Sequence, residues 1–287
     1  MLAIYKKELR SYFTSMIGYV FIAFFLVIIG IGFLLQNLVA TYANFEYTLA
    51  SISFLFVLLT PVLTMRLMAE ENKQKTDQLL LTSPLSASAI VVGKFLAVFT
   101  VFLSAMLITC AYPLILSKYG EVPLLSAYSG ILGFVALGAA YLSIGLYISS
   151  LTESQVVAAV VSFIIFLFTF LMENIANTIP SDNKTAFLAF TIIILLVCII
   201  LYRMMNNVTI ALSIAIILEI ALLLIYRLHP TMLDGSVSKI TGWLSMADRY
   251  TQFSYGIFDM SGIIYYVSIT FLFTFLTTQV IRKKRWS

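Results

Sequence analysis

Apolar residues fall into eight long runs along this chain, near positions 16–35, 49–65, 95–117, 124–149, 156–172, 186–202, 208–226 and 263–281. Each approaches the roughly 20 residues that carry a helix across a bilayer core of about 30 Å. Backbone groups in hydrocarbon must pair within their own segment, and these runs are too long and too uniformly apolar for barrel strands, so the pattern predicts helices. The expected fold is an all-α polytopic membrane protein with about eight spans. Ahead of the first run, MLAIYKKELRSYFT puts Leu2, Tyr5, Leu9, Tyr12 and Phe13 on one helical face and Lys6, Lys7, Arg10 and Thr14 on the other. That amphipathic pattern predicts an interfacial helix over 1–15, serving as a basic anchor or as a receiving surface for a partner.

One polar interruption stands out. Residues 66–94, RLMAEENKQKTDQLLLTSPLSASAIVVGK, hold seven charged groups between the second and third runs. The stretch Leu67 to Leu81 favours helix, and Ser83 followed by Pro84 is a cap and first-turn pair that ends one helix and starts the next, giving a helical hairpin. Leu79, Leu80 and Leu81 form an apolar knob at its tip. Such a knob suits either a groove in another protein or the membrane surface.

Composition fits the same class. With 61% hydrophobic and 10% charged residues, there is too little polar surface to coat a soluble globule. Cys110 and Cys198 each stand alone in an apolar run, so no disulfide framework or metal cluster follows. The first run starts only at Met16, is of full span length and lacks a small-residue cleavage site, so it is expected to stay as a membrane helix. With the N-terminus inside, twelve basic residues (Lys6, Lys7, Arg10, Arg66, Lys73, Lys75, Lys94, Arg203 and Arg282 to Arg285) are cytoplasmic. Five (Lys118, Lys184, Arg227, Lys239 and Arg249) are external. The positive-inside rule therefore predicts that both termini are cytoplasmic. The fourth run holds Gly130, Gly133, Ala136, Gly138, Ala139, Ala140, Ser143 and Gly145, the small residues that let helix backbones approach, and is expected to be central to packing. Glu219 is the one ionisable residue deep in a run, a candidate for function or a neutral carboxyl bonded to a neighbouring helix.

The order of residues in the polar interruption resembles the coupling region of type-2 ABC exporter permeases. The matching elements are an acidic pair (Glu70, Glu71), Thr76, a leucine pair (Leu79, Leu80), Thr82 and Ser83 with Pro84, and Gly93–Lys94 entering the third run. LTESQVVAAVVSF, from Leu151, is similar to that family's short cytoplasmic turn between its fourth and fifth spans. The stretch from Leu244 to Trp286 is similar to the external segment and last span of the gliding-motility branch. The resemblance covers most of 1–172 and 240–286. Family members of this branch commonly have six spans, so residues 178–235 are expected to be an inserted transmembrane hairpin, followed by an external segment over 236–262.

The resemblance implies a single transmembrane domain that couples to an ATPase through Glu70, Glu71, Thr76, Leu79, Leu80, Ser83 and Pro84, with Glu153, Ser154 and Gln155 as a second contact. No GxxxxGK[ST] phosphate loop occurs in the chain. The chain is therefore expected to be no enzyme itself, with ATP and Mg2+ bound by a separate ATPase subunit. The implied partners are two cytoplasmic ABC ATPase subunits, a second permease copy or homologue, a further membrane or extracytoplasmic protein, and the lipid of the cell membrane, with no nucleic acid. The implied activity is ATP-driven export or movement of a membrane partner. An ATP-driven machine that moves no solute is the alternative, and a secondary transporter, without visible repeats, comes last.

Overall fold

In the computed structural model, which describes residues 1–76, 85–178, 183–205, 208–228 and 235–286, the apolar runs are helical and no strand occurs among the described residues. Helix α1 (Leu2–Thr14) is the amphipathic N-terminal segment. It ends at Ser15, whose extended backbone also starts α2 (Met16–Gly32). Gly18 makes that corner possible, since a side chain there would meet the Tyr12 carbonyl oxygen at 2.5 Å. The first span continues from α2 through a π-helical stretch, Phe33–Val39.

The second apolar run is not one straight rod. It consists of α3 (Phe45–Ser51) and α4 (Leu55–Thr64), the latter leading into α5 (Arg66–Gln74), and the chain bends by 67° between α3 and the α4–α5 segment. Pro61 sits inside α4, where it removes one donor from the helix ladder. The expected helix from Leu67 to Leu81 is shorter than predicted: α5 stops at Gln74, and Lys75 takes the left-handed conformation at φ 55°. The N–H groups of Lys75 and Thr76 return to the carbonyls of Asn72 and Glu71, closing the helix end. The predicted Ser83–Pro84 start lies outside the described residues. The described helix there, α6 (Ala87–Thr109), is capped by Ser86, whose hydroxyl accepts from the Ala89 N–H.

A short α7 (Ala111–Leu116) completes the third span. Then α8 (Leu124–Leu151) returns, followed by α9 (Gln155–Thr178), and α14 (Met260–Trp286) closes the chain. Among the described residues, five segments are long and apolar enough to cross a membrane, or six with the bent α3–α5 pair counted as one.

Helix α8 is the packing centre that its small residues predict. Of its apolar window 72% is buried, against 17% for α14. A side chain on Gly138 would meet the Phe102 ring at 2.5 Å and the Phe56 ring at 2.9 Å, and one on Gly145 would collide with the Thr64 hydroxyl. Each missing side chain lets another helix lie directly on the α8 backbone. Around them Phe25, Phe56, Phe102, Phe134 and Tyr141 form a buried aromatic cluster with ring centroids 4.6–6.3 Å apart.

The chain divides into two compact units, Leu171–Ser245 and the remainder. Within the smaller one, α10 (Asn183–Met205) and α11 (Val208–Leu228) coincide with the sixth and seventh apolar runs, and α12 (Ser236–Leu244) packs on α10. Thr191 donates to Glu219 Oε1 at 2.8 Å across the helix pair, and the Phe187 and Tyr226 rings meet at 5.1 Å. Glu219 is therefore half-buried and bonded to a neighbouring helix. In the larger unit, α13 (Met246–Ser254) precedes α14.

Candidate functional site

The polar interruption folds back against the N-terminal helix. Gly93 begins the arrangement, because a side chain there would meet Ile4 and the Met1 carbonyl at 3.2 Å, so its absence lets α1 lie against the start of α6. The most buried line of α1 is Ile4, Glu8 and Tyr12, flanked by Leu9 and Phe13 of the predicted apolar face, which pack partly buried against the core, while Leu2 of that face is 67% exposed. A carboxylate thus sits in the middle of the buried face. Its partner is Lys94, only 1% exposed. The Lys94 ammonium donates to Glu8 Oε1 at 2.9 Å and to the Leu67 carbonyl at 2.7 Å, and it lies 2.9 Å from Glu71 Oε2.

Lys7 completes a ring. Its ammonium donates to Glu71 Oε1 at 3.0 Å and lies 3.7 Å from Glu8. Two lysines and two glutamates therefore alternate around a closed, neutral circuit that joins α1, α5 and α6. Partial burial pulls the Lys7 ammonium down, but the bond and charge of Glu71, with those of Glu8, hold it above the ordinary lysine value of 10.5. Because this pKa is raised, the lysine's own contribution to stability is fully present below 10.5 and is lost as pH climbs through the higher folded value.

Arg66 extends the seam. Its guanidinium pairs with Glu70 at 3.3 Å, donates to Ser11 at 2.9 Å and lies 5.5 Å from the centre of the Tyr12 ring. Tyr12 in turn donates to the Leu63 carbonyl at 2.8 Å. A cleft of about 430 Å³ runs along this seam between α1 and α5, with Thr76 at its rim.

The other flank of α5 is held by the end of α8. The Ser149 hydroxyl accepts from the N–H groups of Met68 and Ala69, each at 3.1 Å, and donates to the Met65 carbonyl at 3.0 Å. One side chain thus satisfies the end of α4 and the beginning of α5. Asn72 donates to the Thr152 carbonyl at 3.0 Å in the turn between α8 and α9. In that turn Glu153 and Ser154 are exposed, and the Ser154 hydroxyl caps the first turn of α9. Lys284, at the end of α14, reaches the Ser150 carbonyl at 3.0 Å, and Arg285 reaches that of Leu85 at 3.2 Å.

The structure therefore brings together Glu70, Glu71 and Thr76 on one side of α5 and, through Asn72 and Thr152, sets Glu153, Ser154 and Gln155 close to the other. Glu71 is turned inward to two lysines rather than outward. Leu79, Leu80, Ser83 and Pro84 lie outside the described residues, and Glu219 belongs to the separate α10–α11 pair. Sequence reasoning missed Glu8, Asn72 and Ser149, and gave Lys94 no role beyond its place in a motif. The available signal for Glu8 was an acid spaced four residues from both Ile4 and Tyr12 in an otherwise basic helix.

Five or six candidate spans among the described residues, joined by a clamped polar arm, are the architecture of a multi-pass helical membrane protein. The sequence matches the family model described as an ABC-2 family transporter protein over residues 39–227. The match covers more than half of the chain, which thus belongs to this family and is the membrane subunit of an ABC transporter. It runs through α10 and into α11, the region that sequence reading had set apart as an insertion. A comparison with curated proteins gives no match.

Proposed function

We propose that this permease receives mechanical work at the α1–α5–α6 junction from a separate cytoplasmic ABC ATPase and passes it into the bundle to drive export or to move a membrane partner. The observation that carries the reading is the ring of Glu8, Lys94, Glu71 and Lys7, buried at Lys94 and largely shielded at both glutamates, with Lys7 at its exposed edge. A force on the arm that begins with α5 reaches the third span through Lys94, the surface helix through Glu8, and the central α8 through Ser149. Charged groups removed from water are costly to separate, so the three helices move together. Glu70, Glu71, Thr76 and the leucine pair Leu79–Leu80 contribute to the arm, and Glu153, Ser154 and Gln155 offer the second contact. ATP and Mg2+ are held by the partner, two such subunits serve two permease chains in a cell membrane, and the basic end of the bundle faces the cytoplasm.

The test is ATP turnover by rigorously pure permease, with and without its ATPase subunit. Hydrolysis only in the complex is expected, and robust hydrolysis by the lone chain would refute the assignment. A second reading, a machine that moves no solute, is favoured by the C-terminal stretch from Leu244 to Trp286 and its likeness to gliding-type permeases. Co-purification of a large extracytoplasmic partner, with no transported small molecule, would select it.

A further inference from the structure

At the end of the bundle opposite the ion-pair ring, a second buried carboxylate has no counter-ion and accepts a hydrogen bond from its own backbone N–H. Glu46, in the first turn of α3, is 1% exposed, and its Oε2 is buried without a hydrogen bond or an ion pair. One glycine clears its place and a second lies beside it. A side chain on Gly130 of α8 would meet the Glu46 Cβ at 2.6 Å, and one on Gly256, in the turn after α13, would come within 3.5 Å of its Oε1. Gly256 has φ +73°, a conformation that side chains disfavour, and a side chain there would clash with Ser126 at 2.8–2.9 Å, so the turn lies close against α8 beside this carboxyl.

Helix α3 packs against α2, the π-helical stretch, α8 and α13. The titratable and charged groups on those elements and on the adjoining turn are committed elsewhere or form no bond to Glu46. Tyr250, whose hydroxyl feels the Glu46 charge, donates a hydrogen bond to the Gly130 carbonyl at 3.1 Å. Arg249 lies 5.2 Å from the Tyr265 ring centre, Tyr128 donates to the Cys110 carbonyl, and Asp259 accepts from Ser261 and Gly262. Tyr19, Tyr47, Tyr141, Tyr147, Asp248 and Tyr255 make no hydrogen bond or ion pair with Glu46 among the described residues.

A bare carboxylate with no counter-charge in such a place is far costlier than its neutral acid. We propose that Glu46 is a proton-binding latch, whose carboxyl carries a proton while α3 is seated on α8 and α13 and whose deprotonation unseats α3. The proton passes to water at that end of the bundle, and the charge left behind drives the side chain out of the slot between Gly130 and Gly256. The break that gives the 67° bend lets α3 swing without unwinding α4. Seating is therefore favoured at low pH and lost as pH rises through the titration of Glu46.

The test compares the purified full-length permease with Glu46→Gln, which keeps the shape and cannot ionise. Amide exchange of residues 45–51 is measured across pH and expressed as the ratio of wild type to variant at each pH, which cancels the intrinsic pH dependence of exchange. The expected ratio is one at acid pH, rising by up to about tenfold per pH unit above the midpoint. Infrared difference spectra of wild type minus variant should also show a protonated-carboxyl band that disappears over the same range. Should Glu46→Gln fail to fold, Glu46→Asp serves for the infrared comparison, the band shifting rather than vanishing. A ratio of one at every pH, or the absence of a protonated-carboxyl band when α3 is protected, would overturn the proposal.

Discussion

Replacing Lys94 by methionine tests the ring most sharply. Methionine keeps an unbranched apolar stem of similar reach and removes the ammonium. Glu8 Oε1 and Glu71 Oε2 each lie 2.9 Å from Lys94 Nζ, so without it two carboxylates face each other across at most about 6 Å. At an effective dielectric near 20 their repulsion is about 3 kcal/mol, partly offset by Lys7, and the Leu67 carbonyl also loses a donor. Removing one member of a buried ion pair typically costs about 3–5 kcal/mol, and the lower part of that range is expected because Lys7 remains. The assay is thermal or denaturant unfolding of the purified permease in detergent, run on Lys94→Met, Glu8→Gln, Glu71→Gln and their combinations. Because neutral groups of matching shape need no counter-ion, the triple variant should recover most of the loss of Lys94→Met. A loss below about 1 kcal/mol, with strictly additive effects across the combinations, would refute the ring as a structural joint.

Two further outcomes rest on packing around α8 and a third on the distribution of basic residues. Ser149→Ala should cost about 1–3 kcal/mol, because it leaves the buried N–H groups of Met68 and Ala69 without an acceptor, and exchange of their amides should rise more than that of the α8 core. Gly138→Leu should reduce the yield of folded, monodisperse permease, since its Cβ would stand 2.5 Å from the Phe102 ring and overpacking there costs about 1–3 kcal/mol or more. Single cysteines at Lys73 and Lys239, probed on intact cells with an impermeant thiol reagent, should react only at position 239, and labelling of position 73 from outside would reverse the orientation.

Helices at the apolar runs and the central place of α8 were legible in the sequence because both rest on local pattern, unbroken apolar runs and glycines and alanines concentrated in one of them, whereas eight spans were expected and five or six candidates occur among the described residues. The polar arm was legible as a motif, but its mechanics were not. Glu8 and Lys94 are 86 positions apart, and nothing local marks a lysine at the mouth of a span as a buried ligand for two carboxylates. The break between α4 and α5 is likewise supported by Ser149, more than eighty residues downstream. Lys75 defeated the helix prediction through backbone geometry alone, adopting a left-handed conformation that its side chain gives no reason to expect. Glu46 drew no notice because an acid beside an apolar run looks solvated until the helices around it are placed.

The central claim is that the arm begun by α5 is where the ATPase delivers work, and the most direct measurement is co-purification of that subunit with Leu80→Asp and with Lys73→Ala. A leucine seated in a partner's groove loses about 2 kcal/mol of burial when removed, and a carboxylate in its place adds the cost of an unpaired charge facing an apolar surface. Lys73 is exposed, so its loss removes at most a rim charge of about 1 kcal/mol. Leu80→Asp should yield folded permease stripped of ATPase, while Lys73→Ala should retain the subunit with greater sensitivity to salt. Retention of the ATPase by Leu80→Asp at wild-type stoichiometry and activity would contradict it.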